Sequence, residues 1–208
     1  MSLRARNLRT IGALAALFLV PLALAFYTYY GTDWRPVSHV NHGELIIPPR
    51  PLPEPRLPRV ALAAAPPGVA PRAPDDGGPT GGRLRERWSL VYLGDGACDA
   101  DCRWTLYVMR QTRIGLNADM TRVERVFLAT GSCCAREYLG QADAGLVVLE
   151  ARGPAGAALL ARFPTSGRAH TLYVVDPLGN LMMSYDARSN PHGLLEDLKK
   201  LLRLSHIG

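Results

Sequence analysis

Cysteine is scarce in this sequence. The four residues, Cys98, Cys102, Cys133 and Cys134, are too few to staple a chain of 208 residues into a disulfide scaffold. They fall in two close pairs, which suits a reactive set. Basic blocks are missing as well. The formal net charge is +6, but the excess is spread out, mostly as arginine, with no Lys/Arg run and no interleaved aromatics. That pattern gives no support for a nucleic-acid partner. A phosphate-cradling loop is also lacking, because no Lys/Ser follows Gly94-Asp95-Gly96 at Walker spacing.

Charge is absent from one long stretch, Ile11 to Tyr30. That is close to the ~20 apolar residues a helix needs to cross a bilayer. Its last turn, Phe26-Tyr27-Thr28-Tyr29-Tyr30, has the makeup of an interfacial aromatic belt. Arg4, Arg6 and Arg9 precede it, which places the N-terminus in the cytoplasm and the rest on the far side. Ala23-Leu24-Ala25 also fits a leader-peptide cleavage site, so a cut signal competes. The belt and the full-length run favour a retained anchor over residues 1–31.

Residues 32–83 are dense in proline, from Pro36 to Pro79. Such density prevents regular helix and favours extended, semi-rigid chain at ~3.1 Å per residue. A spacer is expected here, jointed at Asp75-Asp76-Gly77-Gly78-Pro79-Thr80-Gly81-Gly82. Two apolar islands, Leu45-Ile46-Ile47 and Val60-Ala61-Leu62, invite partial docking onto a sheet. His39 and His42 could bind copper beside the membrane, but ordinary loop residues are the favoured reading.

Residues 84–208 read as one domain. Ser89 to Leu93 is a strand, followed by a helix from Asp99 to Leu116. Its stripe is Cys102, Leu106, Met109 and Leu116, interrupted by Arg113. Val123 to Ala129 is a second strand and Leu146 to Leu149 a short third. Ala155 to Ala161 is a short helix. Thr171 to Val175 and Leu181 to Tyr185 form a hairpin around Asp176-Pro177-Leu178-Gly179-Asn180. The last helix starts at Asn190-Pro191 and shows Leu194, Leu195, Leu198, Leu201 and Leu202 on one side. This order predicts an α/β three-layer sandwich with its site at the C-terminal end of the first strand. Met182 and Met183 alternate on a strand and read as core filling rather than Cu(I) ligands. Trp104 is expected to pack the helix, and His192 and His206 to lie on the surface.

Cys98 and Cys102 follow the first strand and a Gly-rich turn. Four apart at the start of a helix, they are expected on one face. There, unpaired amides and the macrodipole stabilise a thiolate, the form that attacks disulfides and binds soft metal. Two buried structural cysteines are the plainer alternative. Cys133 and Cys134 emerge at the same end of the sheet. Adjacent cysteines seldom point the same way, and a disulfide between neighbours is expected to be strained. One of them could resolve a mixed disulfide or supply a third soft ligand; otherwise one is buried and the other exposed.

These residues resemble the Sco/SenC proteins of cytochrome c oxidase assembly, within the thioredoxin-like superfamily, over roughly Trp88 to Leu204. WSLVYLGDGACDADC is similar to the Sco strand, turn and C-x-x-x-C copper motif. VERVFLA is similar to the next core strand and TLYVVDPLGNLMMSY to the terminal hairpin. NHGELIIPPRPL together with DPLGNLMM is similar to membrane-anchored Sco-like proteins associated with bacterial cytochrome oxidase. The resemblance implies a thioredoxin-like domain held by a single span in the bacterial inner membrane and facing the periplasm. It implies Cu(I) binding, or disulfide exchange, for the oxidase's dinuclear copper centre. Oxidase subunits or other copper and assembly factors would be the partners. Cys98 and Cys102 would be metal ligands, or attacker and resolver. The family's histidine ligand falls by count on Arg168. His170 instead stands where thioredoxins place their cis-proline, a position that faces the pair. Asp99 replaces the motif's proline, and with Asp101 it is expected to disfavour thiolate charge while attracting a cation. Three functions follow in order: copper-binding assembly factor, thiol–disulfide oxidoreductase, non-catalytic scaffold.

Overall fold

The computed structural model describes residues 3–32, 41–54, 56–62, 84–131, 133–142, 145–165, 167–205 and 207. The chain divides into two units, Met1–Val40 and Asn41–Gly208. The first holds helix α1, Leu3–Gly31, which runs through Pro21. Its Arg9–Gly31 stretch is long and apolar enough to cross a membrane. The hydroxyl of Thr28 donates to the carbonyls of Leu24 and Ala25, both at 3.0 Å. A hydroxyl satisfied inside its own helix is what an apolar surrounding requires.

The second unit is built on one six-stranded sheet in the order β1-β6-β5-β2-β3-β4. The strands are β1 Glu44–Pro51, β2 Trp88–Asp95, β3 Val123–Thr130, β4 Leu146–Glu150, β5 Thr171–Val175 and β6 Asn180–Asp186. The helices are α2 Ala100–Gly115, α3 Arg136–Ala142, α4 Gly153–Leu160 and α5 Pro191–Leu204. β2, β3 and β4 run parallel, and β5, β6 and β1 add antiparallel pairs.

Period-two alternation sorts the strand residues onto two faces. Leu90, Tyr92, Phe127, Val148, Leu172 and Val174 face α2, α3 and α5, meeting Leu106, Met109, Leu139, Leu194 and Leu198. Val91, Leu93, Val126, Leu128, Val147 and Tyr173 pack on the other side with Leu159 and Phe163 from α4 and its end. Both faces are covered, so the central strands read as nearly unbroken apolar runs. The result is the three-layer thioredoxin-like sandwich.

The apolar islands flank the sheet. Leu45-Ile46-Ile47 lies in β1, whose register pairs Leu45 with Met183 and Arg50 with Leu181. Pro48, Pro49 and Pro51 cannot donate to a ladder, which suits an edge strand. At the opposite edge the Val60 amide donates to the Val148 carbonyl at 2.9 Å, and Glu150 returns one to Pro58 at 2.9 Å. β1 is fastened by a buried carboxylate. Asp197 on α5 accepts from the amides of His42 (2.6 Å) and Gly43 (3.1 Å) and from the Tyr185 hydroxyl (2.5 Å). Gly43 lies flat on the Tyr185 ring, where a Cβ would come within 2.3 Å of it.

α5 is capped by Asn190, whose side chain accepts from the Gly193 amide at 2.9 Å, with Pro191 opening the first turn. Met183 is buried in the core cluster, and Met182, half-buried, packs against it. Trp104 is exposed and lies tilted against Tyr107 along α2, ring centroids 5.6 Å apart. His42 Nε2 lies 2.7 Å from Glu196. His192 is exposed. His39 and His206 lie outside the described residues.

Candidate functional site

The C-terminal ends of the parallel strands β2 and β3 open onto one end of the sheet. After β2 the chain turns through Gly96 and Ala97, fastened by Asp95. The Asp95 carbonyl accepts from the Cys98 amide at 3.0 Å and its carboxylate from Ala97 at 2.8 Å. Cys98 itself is left-handed, at φ +51°. α2 begins only at Ala100, with Asp99 as its N-cap, the side chain accepting from the Cys102 amide at 2.9 Å.

One expectation is corrected here. Cys98 and Cys102 do not meet as two residues on one helix face, because Cys98 precedes the helix. The left-handed turn swings Cys98 back over the first turn, to a Cα–Cα distance of 5.0 Å, and the two sulfurs are joined as a disulfide. Both residues are nearly closed to solvent, at 1% and 2% exposure, yet both line a cleft of about 440 Å³. Tyr92, Asp95, Thr130, Arg168 and Ala169 share that lining.

The acids beside the pair have defined partners. Asp99 is engaged as the cap. Asp101 is ion-paired with Arg188 and lies 3.7 Å from His170 Nε2. The negative charge of Asp101, expected to bear on the thiols, is therefore shared with Arg188. A further cation, Arg103, donates from Nε to the Cys98 carbonyl at 3.2 Å, and its guanidinium stands 4.6 Å over the Tyr138 ring of α3. Tyr92 donates its hydroxyl to the Ala169 carbonyl at 3.1 Å. Burial, reinforced by Asp99 and Asp101, pushes this phenol up to about 12, so it stays neutral.

His170 ends the short 3-10 turn Arg168–His170. Its Nδ1 is buried without a hydrogen-bond partner among the described residues. Arg168, at the position matching the resembled family's histidine, donates to the carbonyls of Leu160 (3.0 Å), Phe163 (2.9 Å) and Pro164 (2.7 Å). It closes the end of α4 and offers no donor atom to a metal. Among the described residues, no group of three or more His, Cys, Asp or Glu is gathered for a metal ion. What the site does offer is two sulfurs side by side, two soft ligands once reduced.

Cys133 and Cys134 sit on the loop after β3, both half-buried and joined to each other. The split into one buried and one exposed thiol is not what the structure has. The loop lies against the Cys98 turn: Gly96 donates to Thr130 at 3.1 Å and accepts from Ala135 at 2.8 Å. Tyr92, Arg103 and Arg188 were not singled out from sequence. Tyr92 had a usable signal, its inward place on a strand aimed at the site. Arg188 had none, because 87 residues separate it from Asp101.

No curated protein matches the chain. Solved Sco structures share its fold. The solution structures of apo Sco1 from Thermus thermophilus are 17% identical, with a TM-score of 0.52, over 80% of this chain and 99% of that one. Yeast Sco1 with copper bound is 14% identical, with a TM-score of 0.50, over 59% and 82%. The family model of the transmembrane-like, thioredoxin-like C-terminal domain matches residues 88–205. More than half of the chain lies within that match, and the protein belongs to this family of transmembrane-like, thioredoxin-like domains.

Proposed function

We propose that this protein is a membrane-anchored, Sco-like factor that carries Cu(I) for the copper centre of cytochrome c oxidase, held between Cys98 and Cys102. The carrying observation is the placement of those two cysteines, Cα atoms 5.0 Å apart, in the lining of a cleft at the C-terminal ends of the parallel strands. Paired thiolates select a soft monovalent ion over the hard cations that surround a cell. The donor chemistry fits in the dithiol form alone, so the disulfide must be reduced before cargo binds. His170 follows the cleft-lining Ala169 and keeps a buried Nδ1 without a partner among the described residues, which makes its imidazole the added donor to test. The likeness to Sco1 solved with copper supports the same reading.

Arg4, Arg6 and Arg9, ahead of the uncharged run within α1, favour a sheet unit outside the cytoplasm by the positive-inside bias. Two disulfides in that unit are at home in an oxidising compartment such as the periplasm. A second reading, a thiol–disulfide oxidoreductase acting on oxidase or chaperone cysteines, is favoured by the disulfide itself. Cys98 would attack and Cys102 resolve. A Cys98–Cys102 pair that stays reduced across the accessible range of potentials would exclude it.

The test is a Cu(I) titration of the reduced full-length protein in detergent against a coloured chelator. One Cu(I) per chain is expected, abolished by Cys98→Ser and by Cys102→Ser. His170→Ala is expected to keep the stoichiometry and weaken affinity roughly tenfold, the scale of lost supporting contacts at metal sites. Stoichiometric binding that survives the double serine substitution rejects the proposal.

A further inference from the structure

We infer that Cys133 and Cys134 form a second redox pair that passes electrons to the Cys98–Cys102 disulfide, and so readies it for its cargo. The inference rests on the reading that Cys98 and Cys102 act in the reduced form. Three ties hold the two loops together. Gly96, two residues before Cys98, donates to Thr130 at 3.1 Å; it accepts from Ala135, next to Cys134, at 2.8 Å. Arg103 bridges the Cys98 carbonyl and the Tyr138 ring of the helix that follows Cys134. Cys98 and Cys102 also lie in one apolar cluster, and Cys133 and Cys134 pack against it.

Exposure divides the labour. Cys98 and Cys102 are 1% and 2% exposed, so a protein reductant has little sulfur to attack. Cys133 and Cys134 are half-buried and present the reachable surface. The relay balances. A dithiol protein first reduces Cys133–Cys134 by exchange and leaves oxidised. One loop thiolate then attacks Cys98 Sγ; the Cys98–Cys102 bond breaks and Cys102 departs as a thiolate that takes up a proton. The second loop thiolate attacks its neighbour's sulfur in that mixed disulfide and releases Cys98. Two electrons have moved inward, and the loop disulfide is re-formed.

The test uses the oxidised full-length chain in detergent, with reduced thioredoxin as the protein dithiol and a small phosphine as the comparison. Alkylation and mass spectrometry follow the Cys98–Cys102 pair. With thioredoxin, Cys133→Ser/Cys134→Ser is expected to slow its reduction at least roughly tenfold, because the neighbouring pair's high effective concentration is lost. With the phosphine, which enters the cleft, both proteins should react alike, which shows that the variant is folded. In at least one of Cys102→Ser/Cys133→Ser and Cys102→Ser/Cys134→Ser, the remaining loop cysteine should be found disulfide-bonded to Cys98. Equal rates with thioredoxin, or no such bond in either variant, overturn the relay. Phosphine-reduced Cys133→Ser/Cys134→Ser should still bind one Cu(I), so failure of the relay and failure of the copper reading are separate results.

Discussion

At Cys98 the backbone adopts φ +51°, a conformation that costs an L-residue about 1–2 kcal/mol. Such positions persist where the surroundings determine them, and they gather at functional sites. Here the Asp95 turn and the Asp99 cap hold it. The Gly-rich turn was legible, but nothing in the sequence puts a left-handed residue at Cys98, because cysteine has no preference for that conformation. The C-x-x-x-C spacing was legible, but the reason the sulfurs meet was not. Tyr92 lends itself to a pH test. Its folded phenol holds its proton to about 12, while an unfolded one releases it near 10. The contribution is complete below pH 10 and is lost as pH climbs toward 12. Urea unfolding of the oxidised protein should therefore show the gap between wild type and Tyr92→Phe narrowing from pH 9 to pH 11. A gap that widens over that range contradicts the neutral, buried phenol.

Among the elements, β2, β3, β5, β6 and α5 were readable because each combines a clear period with punctuation at its ends. α4 starts two residues earlier than its Ala/Leu run suggested, because Pro154 opens it. β1 was less legible. Its prolines argued for extended spacer, and what fixes it is Asp197, 155 residues from His42. The NHGELIIPPRPL and DPLGNLMM segments turn out to be paired strands, with Leu52 donating to Gly179 at 2.9 Å beyond them. Asp197→Ala strips an acceptor from three donors and is expected to cost roughly 2–4 kcal/mol. Hydrogen exchange should speed up along Glu44–Pro51 first and leave β2 and β3 protected. Uniform loss of protection across the sheet would show that Asp197 supports the whole unit rather than this edge.

Across the whole molecule, one apolar helix and one thioredoxin-like domain fall in separate units, Met1–Val40 and Asn41–Gly208. Composition set the uncharged run apart from the alternating strands. The two apolar islands, expected to dock onto the sheet, do so through β1 and the Val60 contacts, within a sheet unit that starts at Asn41 rather than near residue 84. Composition could not show that Arg168 closes α4 at the position of the resembled histidine, leaving the two sulfurs as the site's principal donors. The proposed copper-carrying function stands on that donor set. X-ray absorption of the reduced, Cu(I)-loaded full-length protein reads it directly. Two sulfurs bound to copper are predicted in wild type, with copper and its sulfur shell both lost in Cys98→Ser/Cys102→Ser. A copper–sulfur shell that remains unchanged in that variant would contradict the assignment.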